Sequence, residues 1–146
     1  MLPASEQALA IFGRGQNCAQ AVFSTFAARY GLDERTALRM ASPLGGGLAR
    51  RGEVCGAVTG ALLALGLGRG SDLPEGKEAA YRLGQDFLQR FEARFGALTC
   101  RQLLGCDLGT PAGREQARES GILRTLCPRL VGESASIVEA MLSQGA

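Results

Sequence analysis

Between Lys77 and Leu98 the apolar residues Ala80, Leu83, Phe87, Phe91, Phe95 and Leu98 step by three and four, which places them on one face of a single helix. A half-buried strand would need apolar and polar residues to alternate with β-branched enrichment, and no stretch of the chain does so. The chain is therefore expected to be all-α, a compact bundle of about six to seven helices. Three of the six phenylalanines lie on this stripe, which makes it the expected spine of the core rather than a binding surface. At 146 residues the chain has the length of one ordinary domain, and a single helical domain over residues 1–146 is expected.

Stop and start signals divide the rest. A short helix is predicted over Ser5 to Phe12, followed by a break at Gly13-Arg14-Gly15-Gln16. Asn17 can accept the free N–H groups of a following turn, so it reads as an N-cap, with Cys18 at the first position of a helix reaching about Tyr30. Gly31 ends that helix, Asp33 caps a third one through about Ser42, and Pro43-Leu44-Gly45-Gly46-Gly47-Leu48 reads as a loop. The helix holding Cys55 comes next; its Gly56, Gly60 and Ala64, and beside them Ala57 and Ala61, repeat every fourth position and leave two strips without bulk. Another helix can approach closely there, from the same chain or from a second copy, and a homodimer is one expectation. Gly68 to Pro74 breaks the chain before the phenylalanine helix, which Gly96 begins to end. A short helical turn from Cys100 through Gly105, a loop at Gly109-Thr110-Pro111, a polar helix from Ala112 to Ser120 and a terminal helix from Val131 to Leu142 complete the expected order.

Composition removes several classes of function. Sixteen basic and fourteen acidic residues give a net charge of +2 with the signs interspersed, and aromatic residues are few, which speaks against nucleic-acid binding. The longest mostly apolar stretch, Val54 to Gly68, is shorter than the roughly 20 residues that span a bilayer, so membrane insertion is not expected. Met1 to Glu6 shows no basic segment followed by an apolar one, so a cytoplasmic location is expected. The chain contains no histidine, which rules out an imidazole base, a histidine metal ligand and a c-type haem site.

Sulfur is what remains for chemistry. Five cysteines in a reducing compartment are not expected to form a static disulfide framework, which favours reversible redox chemistry or metal ligation. Cys18 is the leading candidate for a reactive thiol, because the first turn of a helix offers free N–H donors and the positive end of the dipole, which should lower its pKa. Cys55 can share that helix-start placement, with Arg50 and Arg51 just upstream adding positive charge that Glu53 partly opposes; Arg101 flanks Cys100; and Cys127 precedes Pro128, where a helical segment must turn. There is no Cys-x-x-Cys, so the thioredoxin dithiol and the paired-knuckle zinc site are both missing. Cys100 and Cys106 are too far apart for one helical face, although a loop could bring them together. Gly45-Gly46-Gly47 lacks the lysine and following hydroxyl of a P-loop. Its glycines are read instead as letting the backbone pass close to Cys18 or Cys55, or adopt positive φ, with room for a ligand or cluster beside Gly45, Gly46, Gly47 and Gly56.

Taken together, Asn17-Cys18-Ala19-Gln20-Ala21-Val22, Gly45-Gly46-Gly47, Gly52 to Gly60 with its Cys55-Gly56-Ala57-Val58-Thr59-Gly60 core, Phe95-Gly96, Cys100 to Gly105 and Cys127-Pro128 form an ordered set of motifs. This set resembles the redox-active protein family named for its C_GCAxxG_C_C cysteine pattern, and the resemblance covers nearly the whole chain. It implies a small helical protein, similar to a domain in the split-Soret cytochromes, whose redox-active or cluster-binding thiols are Cys18, Cys55, Cys100 and Cys127, with Cys106 as the extra. It implies no known substrate, and haem does not carry over, since neither a Cys-x-x-Cys-His site nor any histidine is present.

Three functions follow as expectations. The first is thiol redox, in which an activated Cys18 or Cys55 exchanges with a redox partner or small oxidant and a neighbouring cysteine resolves the intermediate. It needs two Cα atoms roughly 4.4 to 6.8 Å apart. The second is metal binding, with the four thiolates holding an iron–sulfur cluster or, ranked lower, zinc. The third is a helical interaction module whose cysteines are only small buried residues.

Overall fold

The computed structural model of the protein describes residues 2–144. Among the described residues nine α-helical segments follow one another and there is no strand. They are α1 Ala4–Gly13, α2 Cys18–Ala27, α3 Glu34–Ala41, α4 Gly56–Arg69, α5 Lys77–Phe95, α6 Cys100–Leu104, α7 Pro111–Ser120, α8 Ile122–Thr125 and α9 Cys127–Gln144. The all-α expectation holds. The additional segments lie in the C-terminal third, where α8 precedes α9 and α9 begins at Cys127 rather than at Val131. Pro128, read in the sequence as a break, is the second residue of α9, where a missing N–H costs nothing because the first turn has no intrahelical acceptor for it.

The caps anchor the helices as their sequences suggest. The Asn17 side chain accepts from the Gln20 N–H at 2.8 Å, and the Gln20 side chain accepts from the Asn17 N–H at 2.9 Å, a reciprocal capping box that fixes the start of α2. Asp33 caps α3 through the Thr36 N–H at 2.9 Å. Gly31 and Gly96 take the left-handed conformation that stops their helices.

The spine of the core is α2, not α5. Ala19 and every residue from Ala21 to Ala27 are buried, and α1, α3, α4 and α9 all pack on this helix. A helix without a polar face has no side to give to water. On α5 only Phe87 and Phe91 are fully buried, because the helix lies along α4 and α9 at the flank and turns its charged face outward. The small-residue strip of α4 does what its sequence implies: Gly56 and Gly60 sit against the backbone of Ala19 in α2. That strip is filled from within the chain, which leaves the homodimer expectation without this surface. α9 is tied to α4 by the buried Ser134 hydroxyl, which donates to the Ala57 carbonyl at 2.6 Å.

A second apolar cluster of Cys100, Leu104, Cys106, Leu108, Ala117 and Cys127 forms around α6 and α7, and Phe12, Cys18 and Leu126 join it to the main core. The cysteines therefore lie on the seam between two packed units. Among the described residues no helix is long and apolar enough to cross a membrane.

Candidate functional site

Cys18 and Cys127 are the first residues of α2 and α9, Cys55 is the N-cap of α4, and Cys100 opens the short α6. Four helix starts thus deliver four cysteines to the seam. A short antiparallel pairing sets the distance between two of them. The Cys55 N–H donates to the Leu98 carbonyl at 2.9 Å and the Cys100 N–H to the Glu53 carbonyl at 2.7 Å, around an isolated bridge between Val54 and Thr99. The capping box places Cys18, and the packing of α9 on α4 places Cys127.

The four thiols line one cavity of about 220 Å³, together with apolar side chains that include Phe12, Leu103, Leu104 and Leu130. Gly46, Gly47 and Gly56 complete its wall. Gly47 has φ +72°, and a Cβ there would lie 2.7 Å from the Cys100 Cβ and 2.6 Å from the Glu53 carbonyl oxygen, so the close approach of loop to thiol requires glycine. The triplet does adopt positive φ at Gly46 and Gly47, but the thiol it approaches is Cys100 rather than Cys18 or Cys55. Gly45 lies outside this cavity, against Asn17, and lines the adjoining groove. Cys106 is buried behind the wall, where its thiol donates to the Leu104 carbonyl at 3.7 Å.

Electrostatics separate the thiols. The Cys127 thiol beside it above all, with burial and the nearby sulfurs, holds the Cys18 thiol well above its ordinary range. The same pairing with Cys18, outweighing burial, lowers Cys127. The expected lowering at Cys18 is thus reversed, and Cys127 is the more acidic thiol of the pair. Burial pushes Cys55 up to about 11, against the pull of the Ala57 and Val58 N–H groups at the start of α4. Burial, then the charges of Cys55, Cys127 and Cys106, push Cys100 up to about 12.

These shifts link the site to stability. Cys55 rises from 9.0 in the ordinary thiol to about 11 in the folded protein, so between those values the unfolded chain has lost a proton that the folded chain keeps. Unfolding then releases protons, and stability falls as pH rises. Under reducing conditions the urea midpoint is expected to fall between pH of about 9 and about 11, with Cys100 extending the loss toward about 12, while below about 9 the lowered Cys127 thiol works in the opposite direction. A midpoint that is flat across this range in urea titrations with a phosphine reductant would refute the burial of these thiols.

The described residues contain no group of three or more Cys, Asp or Glu placed to hold a single metal ion. The sulfurs surround a space instead. What sequence inspection does not supply is the apolar lining: Phe12 and Leu130 lie on helices whose apolar patterns signal only core packing.

A family model described as "Putative redox-active protein (C_GCAxxG_C_C)" matches residues 16–141, a span that contains all five cysteines. No curated protein and no solved structure matches the chain.

Proposed function

The chain belongs to the C_GCAxxG_C_C family of redox-active proteins, and from that premise we propose that Cys127 and Cys18 form a dithiol that cycles to a disulfide. The placement of both thiols at helix starts on one cavity carries this reading, and their opposite pKa directions support it, since Cys127 is lowered while Cys18 keeps its proton. The Cys127 thiolate attacks one sulfur of a substrate disulfide, whose S–S bond breaks as the first substrate thiolate leaves and takes the Cys18 proton. The Cys18 thiolate then attacks Cys127 and expels the second substrate thiolate, which is protonated by water. One substrate disulfide is reduced to two thiols, and the protein dithiol is oxidised to a disulfide. Cys55 and Cys100 stay protonated at neutral pH, held there by burial.

Equilibration of metal-free protein in thiol–disulfide buffers of graded potential, followed by alkylation and mass analysis, tests this. Reversible loss of two thiols, absent in a Cys18→Ser variant, is expected; no reversible loss at any potential would refute it.

A second reading is favoured by one observation, the convergence of four cysteines on a single cavity. Cys18, Cys55, Cys100 and Cys127 would hold an iron–sulfur cluster there, which would supply one-electron transfer. Anaerobic purification followed by iron and acid-labile sulfide analysis separates the two: iron with sulfide, lost in a Cys55→Ser variant, would favour the cluster.

A further inference from the structure

The thiol cavity opens into a groove, and the groove leads to a pocket of arginines. Cavity and groove share Asn17, Gly46, Leu108 and Leu123, while groove and arginine pocket share Ala49 and Arg50. The arginine pocket, about 450 Å³, gathers Arg50, Arg51, Arg101 and Arg114 against only Glu53 and Asp107. Two of the guanidiniums are oriented by backbone carbonyls. Arg114 donates to the Leu108 carbonyl at 2.9 Å and Arg101 to that of Arg51 at 3.1 Å. Arg101 is 3.9 Å from the Asp107 carboxylate, which also accepts the Gly109 N–H at 2.8 Å. Arg50 and Arg51 have no carboxylate partner among the described residues.

The backbone holding Arg50 is unusual. Gly46, Gly47, Leu48, Ala49 and Arg50 all have positive φ, between 53° and 72°. Such a left-handed turn is uncommon for side-chain-bearing residues and costs roughly 1–2 kcal/mol at each of the three that are not glycine. It is closed by the Arg50 N–H to the Gly45 carbonyl at 3.1 Å and the Gly52 N–H to the Gly46 carbonyl at 3.2 Å. This one turn supplies Gly46 and Gly47 to the thiol cavity and Arg50 to the cationic pocket. Strain of this kind persists where the surrounding structure fixes it, and here the turn joins the cationic pocket to the wall of the thiol cavity.

We propose that the arginine pocket binds a carboxylate or phosphate group of the substrate, so that the thiol cavity acts on a small anionic disulfide. The inference rests on the dithiol reading above and adds the substrate class. Planar guanidiniums suit both oxyanions. The groove carries the body of the molecule past Leu108 and Leu123, and its disulfide reaches the Cys127–Cys18 pair for the exchange already written.

Two measurements test it. In the first, inorganic pyrophosphate and succinate are titrated separately into the reduced protein by calorimetry. Saturable one-site binding is expected, weakened about tenfold or more in an Arg50→Gln, Arg51→Gln double variant and not in Arg118→Gln, whose guanidinium pairs with Glu115 on α7. The tighter of the two ligands tells phosphate from carboxylate. Absence of binding by both, or equal weakening by Arg118→Gln, overturns the site. In the second, oxidation of the reduced protein by dithiodiglycolate is compared with oxidation by hydroxyethyl disulfide, which has no charge. A rate ratio of about ten or more, falling toward unity in the double variant, is expected; a ratio near unity in the unaltered protein overturns the substrate class. Should neither disulfide react, the dithiol reading and the substrate class fall together, and the calorimetry decides the anion site independently.

Discussion

Replacing Cys127 with serine is expected to slow the reaction of the reduced protein with a small disulfide at neutral pH by at least about tenfold. The magnitude follows from which thiols remain. Cys127 is lowered below the ordinary 9.0, whereas Cys55 lies at about 11 and Cys100 at about 12. Two pKa units cost about a hundredfold in thiolate fraction, and the stronger nucleophilicity of the more basic thiolate recovers about tenfold. Burial of the remaining thiols adds to the deficit. Cys18→Ser should behave differently, because serine can still donate a hydrogen bond to the Cys127 thiolate but cannot form a disulfide with it. That variant should react quickly and stop at a stable mixed disulfide on Cys127. Stopped-flow release of the substrate thiol, with peptide mapping of the adduct, distinguishes the two. Fast reaction in Cys127→Ser, or an adduct mapped to Cys55 in Cys18→Ser, would contradict the assignment.

Gly60→Ala is expected to cost about 3 kcal/mol, near the upper end for overpacking, and to lower the melting temperature by about 10 °C. A methyl group at Gly60 would lie 2.6 Å from the Ala19 carbonyl oxygen and 2.9 Å from the Ala19 Cα. Both are backbone atoms of α2, and neither can swing aside, so α2 and α4 must separate. Since Ala19 follows Cys18, the shift also disturbs the thiol pair. Gly66→Ala, on the same helix, is the internal comparison. It meets nothing within 4 Å, and it should stabilise the protein by up to about 1 kcal/mol through helix propensity alone. Opposite signs for the same chemical change would tie the α4 strip to the α2 contact; equal effects would dissolve that account. Thermal unfolding of the two variants is sufficient.

These features differ in how far they could be read from residues alone. Helix class, the caps at Asn17 and Asp33, the close approach along Gly56 and Gly60, and the stop at Gly96 all depend on local chemistry that neighbouring residues display. The rank of the helices within the core did not follow in the same way. The phenylalanine stripe of α5 has the clearest periodicity because its outer face is charged, whereas α2, buried on all sides, has little contrast to reveal it. Cys127-Pro128 reads equally as a break or as a first turn, and only packing selects the latter. The left-handed run through Leu48, Ala49 and Arg50 carries no signal, since these residue types seldom adopt positive φ.

The same limit applies to the site. The resemblance implies Cys18, Cys55, Cys100 and Cys127, and the fold brings these four to one cavity that Cys106 does not line. Their placement at helix starts was legible for Cys18 and Cys55. Its consequence was not, because the influence of Cys127 on Cys18 depends on packing that brings the start of α9 to the cavity at the start of α2.

The most direct measurement is peptide mapping of the metal-free protein after oxidation with a limiting amount of small disulfide. A Cys18–Cys127 linkage that a dithiol reductant removes is the predicted result. Oxidised protein in which Cys18 and Cys127 both remain free thiols would contradict the dithiol at the centre of this account.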